Sequence, residues 1–163
     1  MKSTQSLSLA ATSLFLGVSC AHAITLVENG APRATIVVGQ AAVSPADKDV
    51  AAKKVNVAAH DLQDYIKKMS GATLPIVGDE ADVKGSVILV GSSKLTAKDT
   101  IPSGLTPQRK EEGFVIQAKG SRLLLAGNDA GPYHGTEYAT YDLLNRLGAV
   151  SYTHLTLPTI YSV

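Results

Sequence analysis

Tryptophan is absent from this 163-residue chain, phenylalanine occurs twice and cysteine once. A platform for stacking sugar rings would therefore fall to the six tyrosines. The lone cysteine, Cys20, lies in a leader-like segment, so the expected mature domain has no disulfide and no thiolate nucleophile. Neither sign of charge dominates: the net charge is +1 and both signs are scattered. That leaves no basic stripe to track a phosphate backbone and argues against nucleic acid as a partner. No apolar run beyond the leader reaches the length of a membrane span, so no membrane contact is expected once the leader is removed. No G-x-S-x-G nucleophile elbow is present either.

The two ends differ from what lies between. Lys2 gives a weakly positive start, residues 7–18 are mainly apolar, and Ala21-His22-Ala23 is a small-x-small cleavage site. Residues 1–23 read as a secretory signal peptide, which places the protein in the periplasm or outside the cell. Lipoprotein processing at Cys20 is a second reading, weakened by Gly17 where a lipobox carries Leu or Val. Residues 150–163 read as a non-native tail. A reverse translation of residues 150–159 resembles the transposon end and adapter used in making sequencing libraries, so the gene is expected to have been cut near codon 149. His154, Tyr152 and Tyr161 in that tail carry no functional reading. Residues 24–149 remain as one domain, and a domain of roughly 130 residues buries about two-thirds of its unfolded surface without staples.

Within those residues the pattern predicts runs of strands with two helices. Residues 24–27 and 35–38 read as an entry hairpin around Asn29-Gly30. Ser44-Pro45 is expected to open a long helix, with Ser44 as N-cap and Gly71 as its stop. Val55, Ala58, Ala59, Leu62, Ile66 and Met69 recur at steps of three and four and form its apolar face. Lys53 and Lys54 fall to the polar faces. Pro75 marks residues 73–77 as an edge strand, and residues 86–90 as a central one. Residues 91–108 read as a surface excursion. Residues 112–119 and 122–126 form a hairpin through Gly120-Ser121, and a second helix spans 133–147 with Pro132 at its start. The class implied is α+β: a two-layer sandwich, with a mixed or antiparallel sheet of about six strands and two helices on one face. Val55, Leu62, Ile66, Val87, Leu89, Ile116, Leu123, Leu125, Tyr138, Tyr141 and Leu144 are the expected core.

No catalytic, cofactor-binding or metal-binding residue can be assigned. Gly127, Gly131 and Gly135 bracket a helix start, where backbone N–H groups can hold an anion. The pattern matches neither a P-loop nor a dinucleotide fingerprint, so the glycines read first as a sharp turn and a close helix–sheet contact. His134 and Glu137 share a helix face, but one His and one carboxylate fall short of the three or four ligands a metal needs. His60 and Asp64 read as a boundary pair at the core edge. Glu111 and Glu112 would point to opposite faces of a strand, wrong for an opposed acid and base.

Two stretches carry a resemblance. Ala59, Leu62, Tyr65, Ser70, Gly71 and Pro75 form an A-x-x-L-x-x-Y-x-x-x-x-S-G-x-x-x-P run. It resembles the N-terminal domain of alpha-glucuronidases and their relatives in bacterial polysaccharide breakdown. Residues 127–138, followed by Leu143-Leu144-Asn145-Arg146-Leu147-Gly148, are similar to that family's glycine-rich segment and helix, with Tyr133-His134-Gly135 replacing the usual Leu-Tyr-Gly. The same small domain precedes the catalytic barrel in beta-N-acetylhexosaminidases. The resemblance implies a non-catalytic accessory domain of an exported glycoside hydrolase, with the intramolecular barrel as its partner and the catalytic carboxylates on that barrel. It implies no cofactor and no catalytic residue in this chain. The alternatives are a free-standing carbohydrate-binding or surface module, and an anion-binding domain using the Gly127–Gly135 loop.

Overall fold

The computed structural model describes residues 24–101 and 113–149. The expected signal peptide (1–23), the expected tail (150–163), Glu111, Glu112 and part of the 91–108 excursion fall outside those residues. Among the described residues the elements run β1 (Val27–Glu28), β2 (Ala31–Pro32), β3 (Ala34–Val38), α1 (Gln40–Val43), α2 (Val50–Ser70), β4 (Ile76–Gly78), β5 (Ser86–Val90), β6 (Phe114–Lys119), β7 (Arg122–Gly127) and α3 (Gly135–Arg146). A single 3-10 turn, Lys94–Thr96, follows β5. The fold is α+β, with a mixed five-stranded sheet in the order β4-β3-β5-β7-β6 and a separate two-stranded ribbon, β1-β2.

The expected entry hairpin is shorter than its sequence suggested. Asn29 and Gly30 both take positive φ (51° and 74°), so the turn is tight and pairs only Val27–Glu28 with Ala31–Pro32. β3 instead joins the main sheet, parallel to β4 on one side and to β5 on the other. Its sequence explains the difference. Ile36, Val37 and Val38 are wholly buried, so both faces of the strand are apolar, as a central parallel strand requires. β5 follows the same rule through Ile88, Leu89 and Val90. β4 is at the sheet edge as expected, but starts after Pro75 instead of running through it.

α2 begins six residues after Ser44. Ser44 ends the short helix α1, and the N-cap of α2 is Asp49, whose carboxylate accepts from Ala52 N at 2.9 Å. The helix stops at Gly71, which adopts the left-handed conformation (φ 76°) expected of it. Ala52, Val55, Ala58, Ala59, Leu62 and Ile66 are buried, whereas Met69, next to the last residue of the helix, is exposed.

α2 and α3 pack on one face of the sheet. Their apolar sides meet Ala34, Ile36, Val38, Ile88, Val90, Leu123 and Leu125 in one core, with Ala139, Leu143 and Leu144 coming from α3. The opposite face carries a smaller buried cluster of Val37, Leu89, Leu124 and Ala126. Two residues expected in the core are not there: Tyr138 and Tyr141 are each about 40% exposed. The buried side of α3 is instead taken by Thr136, Ala139, Thr140, Leu143 and Leu144. Small residues there let the helix approach the sheet, which leaves the tyrosines on the outer side. Tyr141 turns toward α2 and donates to Asp61 Oδ2 at 2.7 Å. Val87 and Ile116 are only partly buried.

Two predictions follow from this packing. Leu62→Ala, at a wholly buried position, should cost about 2–5 kcal/mol of unfolding free energy in urea melts, while Met69→Ala stays within about 0.5 kcal/mol. Equal costs would contradict the placement of the helix face. Desolvation, then the bond to Asp61, pushes the Tyr141 phenol above its ordinary value. The folded state therefore holds the proton that the unfolded chain gives up near pH ~10. That contribution is complete below pH ~10 and is lost as the pH climbs through the folded value. Tyr141→Phe should flatten the alkaline fall in melting temperature; an unchanged slope would show that Tyr141 is not its source.

Candidate functional site

In sheets with parallel strands, ligands sit outside the carboxyl ends where neighbouring strands send their connections in opposite directions. β3 continues through α1 and α2 to β4, while β5 continues the other way to β6 and β7. The reversal therefore lies between the ends of β3 and β5. A concavity of about 470 Å³ opens there, bounded by Gly39 after β3, Ser92 after β5 and Gly127–Ala130 at the end of β7. Its remaining wall comes from Ala41, Ala42, Ala51, Ala52, Val55, Asp49 and Ile101. Most of these side chains are small and apolar, and no aromatic ring is among them.

The β7–α3 junction builds one side. Gly127 and Gly135 are in backbone contact. A Cβ on Gly127 would meet Gly135 C at 2.5 Å, and one on Gly135 would run into Asn128 N. Any side chain at either position would push the helix off the strand. Gly135 N donates to Asn128 O, and Asn128 N donates to Gly113 O, both at 2.9 Å. The glycines serve the turn and close contact read first from their spacing, with Gly131 at φ 58°.

The anion alternative meets a competitor inside the chain. Asp129 Oδ1 accepts from Thr136 N at 2.9 Å, and Asp129 Oδ2 accepts from Thr136 Oγ1 at 2.6 Å. Thr136 Oγ1 in turn accepts from Gly127 N. The carboxylate that a helix N-terminus attracts is thus already in place. The same arrangement recurs twice nearby. Asp49 caps α2, and Asp79, nearly buried, accepts from Gln40 N at the start of α1 and from Lys94 N after β5. Aspartates of this chain occupy all three helix starts along the carboxyl edge.

Lys54 completes the junction. It is only 7% exposed, and its Nζ donates to Asp129 O at 3.3 Å, Gly131 O at 2.6 Å and Tyr133 O at 2.6 Å. All three ammonium donors are directed at the loop, so the lysine works as a clamp. Its placement corrects the reading of Lys54 as a polar-face residue. The spacing of four to Ala58, itself wholly buried, was the available sign that Lys54 lies on the core side. Asp79 carried no comparable sign, because its partners are 39 and 15 residues away.

Of the other candidates, only His134 and Glu137 are brought together. His134 is the N-cap of α3, and its Nδ1 lies 2.9 Å from Glu137 Oε2 as an isolated i,i+3 pair. His60 donates to Asn56 O at 2.9 Å rather than pairing with Asp64, which is exposed. Among the described residues no group of three or more His, Cys, Asp or Glu could hold a metal ion. No described helix is long and apolar enough to cross a membrane.

Removing the clamp tests this account. Lys54→Met, which keeps the aliphatic stem, should cost about 2–3 kcal/mol by stranding loop carbonyls. Asp129→Ala should cost about 2 kcal/mol by uncapping α3. The two share the loop, so the double variant should lose less than the sum in a urea-melt cycle. Strict additivity would contradict a single clamp. Compared with known proteins, the chain matches no family model and no curated protein.

Proposed function

We propose that this chain is the non-catalytic N-terminal accessory domain of an exported glycoside hydrolase of the alpha-glucuronidase type, with polysaccharide cleavage carried by a barrel elsewhere in the parent protein. The observation that carries this reading is the state of the carboxyl edge. Where an α/β-type sheet would present groups to a ligand, Asp49, Asp79, Asp129 and Lys54 are engaged with the backbone of the chain itself. These side chains are spent on holding three helix starts and one loop, which is the work of a packing module.

The stretches behind the resemblance support the same reading. The first runs from the second half of α2 into β4. There Gly71 ends the helix, Gln63 Nε2 donates to Leu74 O at 2.6 Å, and Leu74 is wholly buried. The second is the β7–α3 junction with its glycine contact. In both, the matching residues fix a chain reversal and a helix–sheet distance. Reproducing them requires the same fold and no particular reaction.

A carbohydrate-binding module is favoured by one observation, the exposure of Tyr138 and Tyr141 three residues apart on the outer side of α3. One experiment separates the two. The chain is assayed alone on aryl glycosides and titrated calorimetrically with xylan and glucuronoxylan oligosaccharides. The neighbouring DNA is then read onward, and the extended protein is assayed in the same way. The accessory-domain reading expects no hydrolysis and no heat from the chain, and release of uronic acid by a longer protein whose frame continues through a barrel of about 250 residues. Hydrolysis by the chain alone, or a genomic frame that closes without a barrel, would overturn it. Saturable heat abolished by Tyr138→Ala would establish the binding module instead.

A further inference from the structure

The two edges of the five-stranded sheet are built differently. β4 is three residues long and follows Pro75, which has no N–H to offer a partner. β6 is six residues long and pairs with β7 one-to-one from Phe114↔Gly127 to Lys119↔Arg122, without a bulge. It contains no proline, and its only charge is Lys119 at the far end. Natural edge strands are normally blunted by one of those devices.

Register identifies the open groups. Lys119 and Arg122 flank a two-residue turn with Gly120 at φ 59°, so they exchange both of their hydrogen bonds. Counting back by twos, Gln117 and Val115 also bond to β7. The N–H and C=O groups of Phe114, Ile116 and Ala118 therefore point outward, and no strand among the described residues lies beyond them. Phe114 is 40% exposed, and Ala118 is exposed as well.

We infer that β6 is a self-association edge, where a second copy of this chain adds its own β6 antiparallel about Ile116. This register is the one in which the outward groups satisfy one another without remainder. Ile116 meets Ile116 of the second copy, and Phe114 meets Ala118 of the second copy in both halves of the two-fold pair. The half-exposed ring then lies against the smallest side chain on the strand, a large-against-small cross-strand match. The two copies of Lys119 fall at opposite ends, so no like charges face each other. A parallel arrangement would set them side by side and leave Phe114 against Phe114. The fit is self-complementary, as a two-fold contact requires. The inference stands independently of the accessory-domain reading.

The test is sedimentation velocity on the full chain across a concentration series up to about 1 mM. The expected result is a concentration-dependent rise from monomer to dimer mass. Ala118→Pro removes an outward N–H and no bond to β7, and should leave monomer throughout, with circular dichroism reporting that the fold is kept. Phe114→Ala, which removes no backbone donor, should weaken the dimer by at least about tenfold. Lys119→Glu should leave it unchanged, since the residue opposite is a glycine. A chain that stays monomeric over the whole series overturns the inference, as does a dimer that persists in Phe114→Ala with its affinity unchanged.

Discussion

Helix α3 lies where it does because two side chains are absent. Gly127 ends β7 and Gly135 begins α3, and their backbones touch at a separation that no Cβ could enter. Close approach draws Thr136 beneath the strand end, where its hydroxyl accepts from Gly127 N and donates to Asp129. Asp129 is then held over the helix start, and its own carbonyl, with those of Gly131 and Tyr133, turns toward Lys54 on α2. One contact thus ties the sheet, both long helices and the loop that joins β7 to α3. The tie is polar, but its groups are paired, which is the condition under which a buried lysine is tolerated.

That arrangement bears on function through what it consumes. A helix N-terminus at the carboxyl edge of a parallel sheet offers backbone donors and a favourable dipole to an incoming anion. In this chain an internal carboxylate takes each such position, and the adjoining concavity is walled mainly by small and apolar residues. The edge has the topology of a ligand site and the chemistry of a joint. A joint of this kind suits the role the accessory-domain proposal gives it, that of lending rigidity and surface to a larger protein.

Much of this architecture was legible in the sequence, for physical reasons that can be named. The α2 stripe from Val55 to Ile66, the stop at Gly71, the buried run of β5 and the β6–β7 hairpin each follow from local periodicity or local turn chemistry. The glycine contact was readable as well, because the spacing failed every phosphate-loop pattern. What escaped depended on distant partners. The fate of β3 was decided by β4 and β5, not by the nearer Asn29-Gly30 turn. The start of α2 was decided by Asp49, although Ser44-Pro45 offered an equally good local cap. Lys54 was assigned by charge to the surface, while the loop carbonyls 75 to 79 residues away drew it inward. Tyr138 and Tyr141 were assigned by hydrophobicity to the core, and the close approach of α3 gave that side to Ala139 and Thr140.

The measurement that bears most directly on a self-satisfied carboxyl edge is amide hydrogen exchange at Thr136, read by NMR with and without inorganic phosphate. If Asp129 is the resident anion, the Thr136 amide exchanges only through unfolding of the domain, and phosphate leaves its rate unchanged. A fast-exchanging Thr136 amide that becomes protected as phosphate is added would show instead that the helix start is an open anion site.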